Sequence, residues 1–165
     1  MQEMTEDEIR RFLLQGTFTG KSGTINKNGT THVVPIWYTL DEQGNIIFNT
    51  GDKSLKAKNI QRVNRVRLCV DDQTPPFSFV TIDGIAEVIS DTPTEIFKCA
   101  KMIAARYMGN DKAEVYGKRN STEGELLLKI KPTRVIGQKD IADGKSIQFF
   151  QDEFIYYKLS IKYKN

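Results

Sequence analysis

The sequence has little of what several large classes of protein require. It holds two cysteines and one histidine among its 165 residues. Two cysteines cannot build a disulfide framework, and one histidine without neighbouring Cys, Asp or Glu cannot build a zinc site. We therefore expect no metal centre. We interpret Cys69 and Cys99 as small core residues and His32 as a histidine on the face of a strand.

Long hydrophobic runs and an excess of one charge are also absent. Apolar runs such as Leu126–Leu128 fall far short of the roughly 20 residues that a membrane-spanning helix needs. The first eleven residues are acidic where a secretory signal would be basic and then apolar. The net charge is +3, with basic and acidic residues mixed along the chain, which does not favour nucleic acid as a ligand. We expect a cytoplasmic protein that binds neither membranes nor nucleic acid.

Strand patterns dominate what is present. The composition, 39% hydrophobic and 27% charged, is that of a single globular domain. Asn28-Gly29 predicts a type I′ turn between two short strands, and a third strand is predicted over Val34–Leu40. Gly84 inside a long strand predicts a bulge. Because the strands follow one another through short turns, without alternating with helices, the sequence predicts a mainly β protein with an antiparallel barrel.

Helix signals flank the strands. Thr5–Glu8 is a capping box at the start of a short first helix. The run Thr92–Glu95 has the same pattern with a proline in the first turn, and Gly109 ends the long helix that follows. Asp111 is predicted to cap a second, short helix that stops near Gly117.

A lysine-rich segment follows the predicted strand Ile46–Phe48. Ammonium groups, hydroxyls and turn amides that meet at a strand end can hold a phosphate. The alternative is a solvated basic loop, since basic runs in loops are common and usually have no ligand. The candidate phosphate-binding residues are Thr50, Ser54, Lys56, Lys58 and Asn59, with Lys53 beside them.

An apolar stretch over residues 33–38 is the second candidate. Proline removes a backbone donor, so Pro35 is expected at a sheet edge, at a bulge or where a ligand meets the backbone. Such a surface can stack a planar ring and offer peptide groups to the polar edge of that ring. An ordinary core strand is the alternative, particularly for Trp37.

The order of these segments resembles the pyridoxamine-phosphate-oxidase-like split-barrel superfamily. Within it, the chain resembles the branch of flavin- or deazaflavin-dependent oxidoreductases that use coenzyme F420. Six stretches over about residues 9 to 142 carry the resemblance: FLLQGTFTGKSGTI, THVVPIWYTL, IIFNTGDKSLKAKNIQRVNRVRLCVDD, PPFSFVTIDGIAEV, IAARYMGNDKAEVYGKRN and GELLLKIKPTRVIG.

The resemblance implies a homodimer of six-stranded antiparallel split barrels with flanking helices, and a cofactor in a groove at each dimer interface. Residues 1–142 would form the cofactor-binding domain. Residues 143–165 have no counterpart in it, and we expect this C-terminal extension to pack on the same domain or on the dimer partner.

The resemblance also implies which residues contact the cofactor. Ser54, Lys56 and Lys58 match the phosphate-binding segment of the family, and the strand containing Pro35 matches the one whose backbone runs along the flavin or deazaflavin ring. The ARYMG segment matches a helix that approaches the groove. The predicted cofactor-binding residues are Val34, Pro35, Ile36, Thr50, Ser54, Lys56, Lys58, Asn59, Arg106 and Tyr107.

The implied function is an oxidoreductase in which bound coenzyme F420, or alternatively FMN, transfers hydride to a small conjugated organic acceptor. True pyridoxamine-phosphate oxidases end in an Arg-Leu-x-Pro type motif where this chain has Thr133–Gln138, so we do not expect pyridoxamine phosphate as substrate. No catalytic acid is assigned: Tyr107, Tyr38, His32 and solvent are the candidates. The alternative function is a non-enzymatic module that binds or carries FMN, F420 or a tetrapyrrole.

Overall fold

A computed structural model of the chain describes residues 1–142, so the C-terminal extension 143–165 lies outside the described residues. The helices of this part of the chain are α1 (Glu6–Leu14), α2 (Leu55–Arg62), α3 (Pro93–Met108) and α4 (Ala113–Arg119). Its strands are β1 (Gln2–Glu3), β2 (Gly20–Ile25), β3 (Thr31–Ile36), β4 (Thr39–Leu40), β5 (Ile46–Gly51), β6 (Arg65–Asp72), β7 (Ser78–Ser90) and β8 (Glu125–Lys139).

The strands form one curled antiparallel sheet, a half-barrel, in the order β3-β2-β6-β7-β8-β5-β4. The two-residue strand β1 pairs with the end of β8. Six of the strands have six residues or more, whereas β1 and β4 have two each. The predicted class, a mainly β split barrel with flanking helices, is therefore confirmed.

The main hydrophobic core lies inside the curl of the sheet, with α1 and α2 over it. Its largest fully buried side chains include Tyr38, Phe48, Leu68, Ile82, Leu128 and Ile130. A smaller cluster, formed by Ile47, Ile96, Ala100 and Leu127, packs α3 against the opposite face of β5 and β8. Apolar packing on both faces fixes this part of the sheet as a rigid support for the helices.

Two glycines set the path of the strands. Gly29 has φ +83° in the turn of the β2–β3 hairpin, which pairs Ile25 with Thr31 at its last step. The predicted hairpin is present, but the predicted type I′ turn is wrong, because that turn needs a positive φ at Asn28 as well and Asn28 does not have one. The pairing of β7 with β8 shifts register between Asp83 and Gly84. A Cβ atom at Gly84 would lie 2.8 Å from the carbonyl oxygen of Lys131, so a side chain at this bulge would force the two strands apart.

The predicted third strand, Val34–Leu40, is wrong in its extent. Pro35 belongs to β3, the second strand of the hairpin, and β3 is an edge of the described sheet. Trp37 and Tyr38 leave the sheet before β4 begins. A proline without an N–H can be accommodated at an edge, and the edge position predicted for Pro35 is confirmed.

Two of the predicted helix starts, those of α3 and α4, also differ. Lys112 is the N-cap of α4 and makes no side-chain cap bond, so the cap predicted at Asp111 is wrong. The capping box of α1 is present, with the Glu8 amide donating to Thr5 Oγ1 at 3.3 Å and the Thr5 amide to Glu8 Oε2 at 2.9 Å. Thr92 makes no side-chain cap bond. Its amide donates to the Ser90 hydroxyl at 3.1 Å, and that hydroxyl donates to the Glu95 carboxylate at 2.6 Å, so the two groups of the reciprocal bond contact Ser90 instead of each other. The predicted stop of α4 near 117 is wrong too, since that glycine lies inside α4, where it allows close packing on α3.

Candidate functional site

The lysine-rich segment forms the helix α2, so the alternative interpretation of the segment as a solvated loop is wrong. Ser54 caps α2: its Oγ accepts a hydrogen bond from the Ala57 amide at 3.1 Å. Ala57 and Ile60, three residues apart, are both buried in the main core. A capped start and a buried apolar face are what a short helix needs, and the surrounding lysines obscure both in the sequence.

Lys56 is the half-buried cation of this helix start. Its Nζ donates to Thr50 Oγ1 at 2.8 Å, and that hydroxyl lies 3.3 Å from the Ser54 hydroxyl. Burial lowers the pKa of Lys56, and the nearby Glu125 carboxylate opposes this shift. Within residues 1–142 the ammonium group has no ion-pair partner within 4 Å. A desolvated cation whose hydrogen-bond partner is neutral favours the arrival of an anion.

The first turn of α2 also has backbone donors to offer. The Ala57 amide is taken by Ser54 Oγ, and the Lys58 amide donates to the Ser54 carbonyl at 3.1 Å. The amides of Leu55 and Lys56 have no acceptor in the described part of the chain. Amides at a helix start, together with the positive end of the helix dipole, are a common binding site for phosphate. We call Thr50, Ser54, Lys56 and the two free amides the phosphate seat.

The other predicted residues in and just before this helix differ in their surroundings. Lys53 and Lys58 are exposed, and neither side chain contacts another charged group of residues 1–142. Asn59 is fully buried, and its amide group is held by Thr24, Asn26 and Arg62. The structure therefore turns Lys58 toward solvent and Asn59 into the protein.

The ring-binding candidates lie on the edge strand. Val34 pairs with Ser22, and Pro35 pairs with Lys21, so their side chains face opposite sides of the sheet. Ile36 is 5% exposed and belongs to the core. Since β3 has no neighbour on its outer side among the described strands, its outward-facing peptide groups are available to a ligand.

Arg106 lies at the end of α3, where its guanidinium group is occupied by the protein itself. It donates to the carbonyl oxygens of Leu13 (2.8 Å), Gly16 (3.0 Å) and Tyr38 (3.1 Å), with a longer bond to that of Gln15 (3.4 Å). It also lies 4.7 Å from the centre of the Tyr38 ring. These carbonyls include the ones left unpaired at the end of α1. The predicted contact of Arg106 with a cofactor stays a prediction.

Tyr107 connects the same helix end to the residue that follows β3. Its ring stacks on Trp37, with centroids 5.1 Å apart and planes 3° apart. Its hydroxyl donates to the Phe18 carbonyl at 2.8 Å, and burial raises its pKa. Tyr38, another candidate acid, donates to the Leu13 carbonyl at 2.6 Å, and burial raises its pKa to about 12. Both tyrosine hydroxyls thus already donate hydrogen bonds within the protein. His32, the remaining side-chain candidate, is half-buried on β3.

Together these contacts place the edge strand between two helix ends. Near its start, the carbonyl of His32 accepts from the Thr24 hydroxyl, which in turn contacts Asn59 of α2. Just after its end, Trp37 packs on α3. No local pattern predicts that Glu125 lies near Lys56, because that proximity comes from the pairing of Gly51 with Glu125 across 74 positions of the chain. The Ser-x-x-Ala step at the start of α2 was the available signal for its cap.

Two further features bear on the class of site. The described residues contain no group of three or more His, Cys, Asp or Glu side chains placed to hold a metal ion. None of the helices within residues 1–142 is long and apolar enough to cross a membrane.

Comparison with known proteins gives a family and a set of related folds. The model of a family described as pyridoxamine 5′-phosphate oxidase matches residues 5–139. A search of curated proteins gives no match. A conserved hypothetical protein from Mycobacterium tuberculosis is 26% identical, with a TM-score of 0.72 over 83% of this chain and 86% of that one.

Two other solved structures have names that state a ligand. An F420 reductase is 23% identical, with a TM-score of 0.61 over 76% of this chain and 94% of that one. The heme storage protein HutZ from Vibrio cholerae is 14% identical, with a TM-score of 0.62 over 80% of this chain and 94% of that one. At these identities the likeness is one of fold alone.

Proposed function

The chain belongs to the pyridoxamine 5′-phosphate oxidase family, and on that premise we propose that it is an oxidoreductase with a phosphate-bearing deazaflavin cofactor, coenzyme F420. The acceptor in this proposal is a small conjugated organic molecule. The family includes flavin-dependent oxidoreductases, and FMN is the alternative cofactor. The likeness in fold to an F420 reductase supports the choice of the deazaflavin.

The observation that carries the proposal is the phosphate seat. Lys56 is desolvated at the start of a helix, beside two hydroxyls and two unused amides, and it lacks an anionic partner within 4 Å in the described residues. Phosphate satisfies all of these groups at once, because it brings charge and several acceptor oxygens. A sugar hydroxyl or a neutral ring would leave the cation uncompensated.

The edge strand would hold the ring. Val34 and Pro35 present an apolar side chain on each face of the sheet, and the unpaired peptide groups of β3 can bind the polar edge of a heterocycle. Ile36 anchors this strand in the core, so the edge is held in place. A fixed ring and a fixed phosphate orient the reacting carbon toward the acceptor.

The cofactor would supply the hydride, and the protein would supply position and exclusion of water. Tyr38 and Tyr107 each donate a hydrogen bond to a backbone carbonyl, so neither hydroxyl is free to protonate a product. His32, on the edge strand itself, and solvent are the remaining candidates. A His32→Gln variant that loses turnover while retaining cofactor affinity would support the histidine.

The family resemblance also leads us to propose a homodimer in which each groove is completed by the second copy. Val33 of the edge strand is 58% exposed, which suits an apolar contact across such an interface. Sedimentation equilibrium of the full chain measures this directly. A monomer at micromolar concentration, with or without cofactor, would contradict the proposed dimer.

Cofactor binding is the first test. We expect coenzyme F420 to bind the purified protein, measured by quenching of its fluorescence, and a Lys56→Ala, Lys58→Ala double variant to bind it about 2–4 kcal/mol more weakly. The matched control is Lys27→Ala, Lys53→Ala, which removes the same charge from exposed positions. A flavin absorption band near ~450 nm that persists through gel filtration would favour FMN. If neither cofactor binds at micromolar concentrations, the proposed function is wrong.

A non-enzymatic carrier is the second candidate, and the likeness in fold to a heme storage protein favours it. Turnover separates the two. With a panel of quinones, enones and tetrapyrroles, the enzyme should speed the reoxidation of reduced cofactor above the rate without protein. Tight binding without acceleration for any acceptor would favour the carrier.

A further inference from the structure

Asn59 is a buried polar residue whose hydrogen bonds all go to the protein. Its relative exposure is 0%, and its side-chain nitrogen donates to Thr24 Oγ1 at 3.2 Å and to Asn26 Oδ1 at 2.9 Å. Its side-chain oxygen accepts from both terminal nitrogens of Arg62 at 3.3 Å. With this set of bonds, the side chain has no spare donor for a cofactor. A direct contact between Asn59 and a ligand therefore does not explain why this residue lies where it does.

Asn59 and Arg62 together contact three successive residues of β2 and its turn. Thr24 and Asn26 are reached directly, and Arg62 donates to the carbonyl of Ile25 between them. Asn59 and Arg62 lie one turn apart on α2, so both form their hydrogen bonds to β2 from a single face of the helix. Apolar contacts alone would let a helix slide or rotate slightly over the sheet, whereas a satisfied buried network fixes one position.

The hydrogen-bond network continues from β2 to the edge strand β3. Thr24 pairs with His32 in the β2–β3 ladder, and its hydroxyl donates to the His32 carbonyl at 3.4 Å. Val34 lies two residues further along β3, about 7 Å at the rise of a strand, and faces the same side as His32. The other end of α2 carries the phosphate seat, with Lys56 three residues before Asn59.

We infer that Asn59 is a positioning residue that sets the spacing between the phosphate seat and the ring-binding edge. This inference rests on the proposed function, because it assigns to one ligand the two ends that Asn59 connects. Binding both ends of a single molecule is favourable only when the two sites are held at the distance that the molecule spans. Asn59 and Arg62 hold that distance, while neither contacts the ligand.

The test separates the two halves of the cofactor from the whole. Dissociation constants are measured for inorganic phosphate, for the deazaflavin ring with its ribityl chain but no phosphate, and for intact coenzyme F420. Ligand-observed NMR is used for the two weak halves. For Asn59→Leu, we expect each half to bind within twofold of the wild-type protein and the intact cofactor to bind about tenfold more weakly. The matched control is Gln61→Leu, the same change at an exposed position of α2.

A second variant keeps the test independent of folding. Arg62→Gln removes the bond to the Ile25 carbonyl while leaving Asn59 in place, and we expect a smaller loss for the intact cofactor with unchanged halves. If both variants weaken one half as much as the whole, Asn59 acts on that half alone and the inference is overturned. Unchanged affinity for the intact cofactor in both variants overturns it as well. Failure of the wild-type protein to bind either intact coenzyme F420 or FMN would instead reject the proposed function.

Discussion

Two helix ends in this protein carry cations, and they differ in what those cations already contact. At the start of α2, Lys56 has a neutral hydroxyl as its hydrogen-bond partner and unused backbone amides beside it. At the end of α3, Arg106 donates to four carbonyl oxygens and lies against two aromatic rings. The start of α2 therefore has donors available for a ligand, whereas the donors of Arg106 at the end of α3 are already bonded within the protein. Removing each cation should therefore have opposite consequences.

The largest effect is expected at the end of α3. Arg106→Met should lower the free energy of unfolding by about 2–4 kcal/mol, because the carbonyls at the end of α1 lose their donor. Cofactor affinity per folded molecule should stay within twofold. Urea denaturation measures the first quantity and fluorescence titration the second. The matched control is Arg119→Met, because within residues 1–142 the Arg119 guanidinium contacts only the Tyr116 ring. Equal losses for the two variants would remove the contrast.

At the start of α2 we expect the reverse: a loss of cofactor affinity without a loss of stability. Lys56→Met should weaken cofactor binding by about 2 kcal/mol, since one charge-assisted contact is lost. The same change should leave the free energy of unfolding unchanged or raise it by about 0.5–1 kcal/mol, because a desolvated cation is replaced by an apolar side chain. Thermal unfolding without ligand gives the second value. A clear loss of stability would mean that Lys56 belongs to the fold as Arg106 does.

The pH dependence of the free energy of unfolding gives a third comparison, at Tyr38, whose ring contacts Arg106 of α3. Tyr38→Phe should cost about 1 kcal/mol at neutral pH, the value of the bond to the Leu13 carbonyl. Burial raises the pKa of Tyr38 to about 12, so between pH 10 and 12 the unfolded chain loses this proton before the folded one does. The stability that Tyr38 confers is therefore complete below pH 10 and declines as the pH rises toward 12. Urea denaturation of both proteins at pH 8, 10 and 11 tests this, and a constant difference would contradict it.

The smallest effect is expected from the exposed lysines. Lys58→Ala should weaken cofactor binding by about 0.5 kcal/mol at low salt, and Lys53→Ala by less, because Lys53 precedes the helix and is exposed. Both differences should shrink above ~150 mM salt, where the Debye length falls below about 8 Å. A salt-independent loss at Lys58 would indicate direct contact with the phosphate.

Local signals predicted most of the fold. The hairpin around Gly29, the capping box at Thr5 and the bulge at Gly84 each follow from the conformational limits of a few neighbouring residues, and the structure has all three, although the turn of the hairpin is not of the predicted type. The helix α2 was missed because its lysines hide a capped start and only two buried apolar positions, Ala57 and Ile60. The capping box predicted at Thr92 is absent, and Ser90, which lies outside the pattern, contacts both the Thr92 amide and the Glu95 carboxylate.

The site was less predictable because its chemistry depends on distant neighbours. Lys56 and Arg106 are both cations at helix ends, and no local pattern separates them. What separates them is the end of α1, ninety residues from Arg106, and the pairing of β5 with β8, which brings Glu125 toward Lys56. The family resemblance supplied the candidate residues, but only the tertiary contacts show which donors remain available.

The proline at the sheet edge has a consequence for how this protein behaves in concentrated solution. An open edge strand with exposed apolar residues such as Val33 is a template for aggregation, because a strand of another molecule can add to it. Pro35 removes one donor from that template and so discourages runaway edge-to-edge growth. The edge that offers its peptide groups to a small ring thus also contains a residue that hinders pairing with a neighbouring chain.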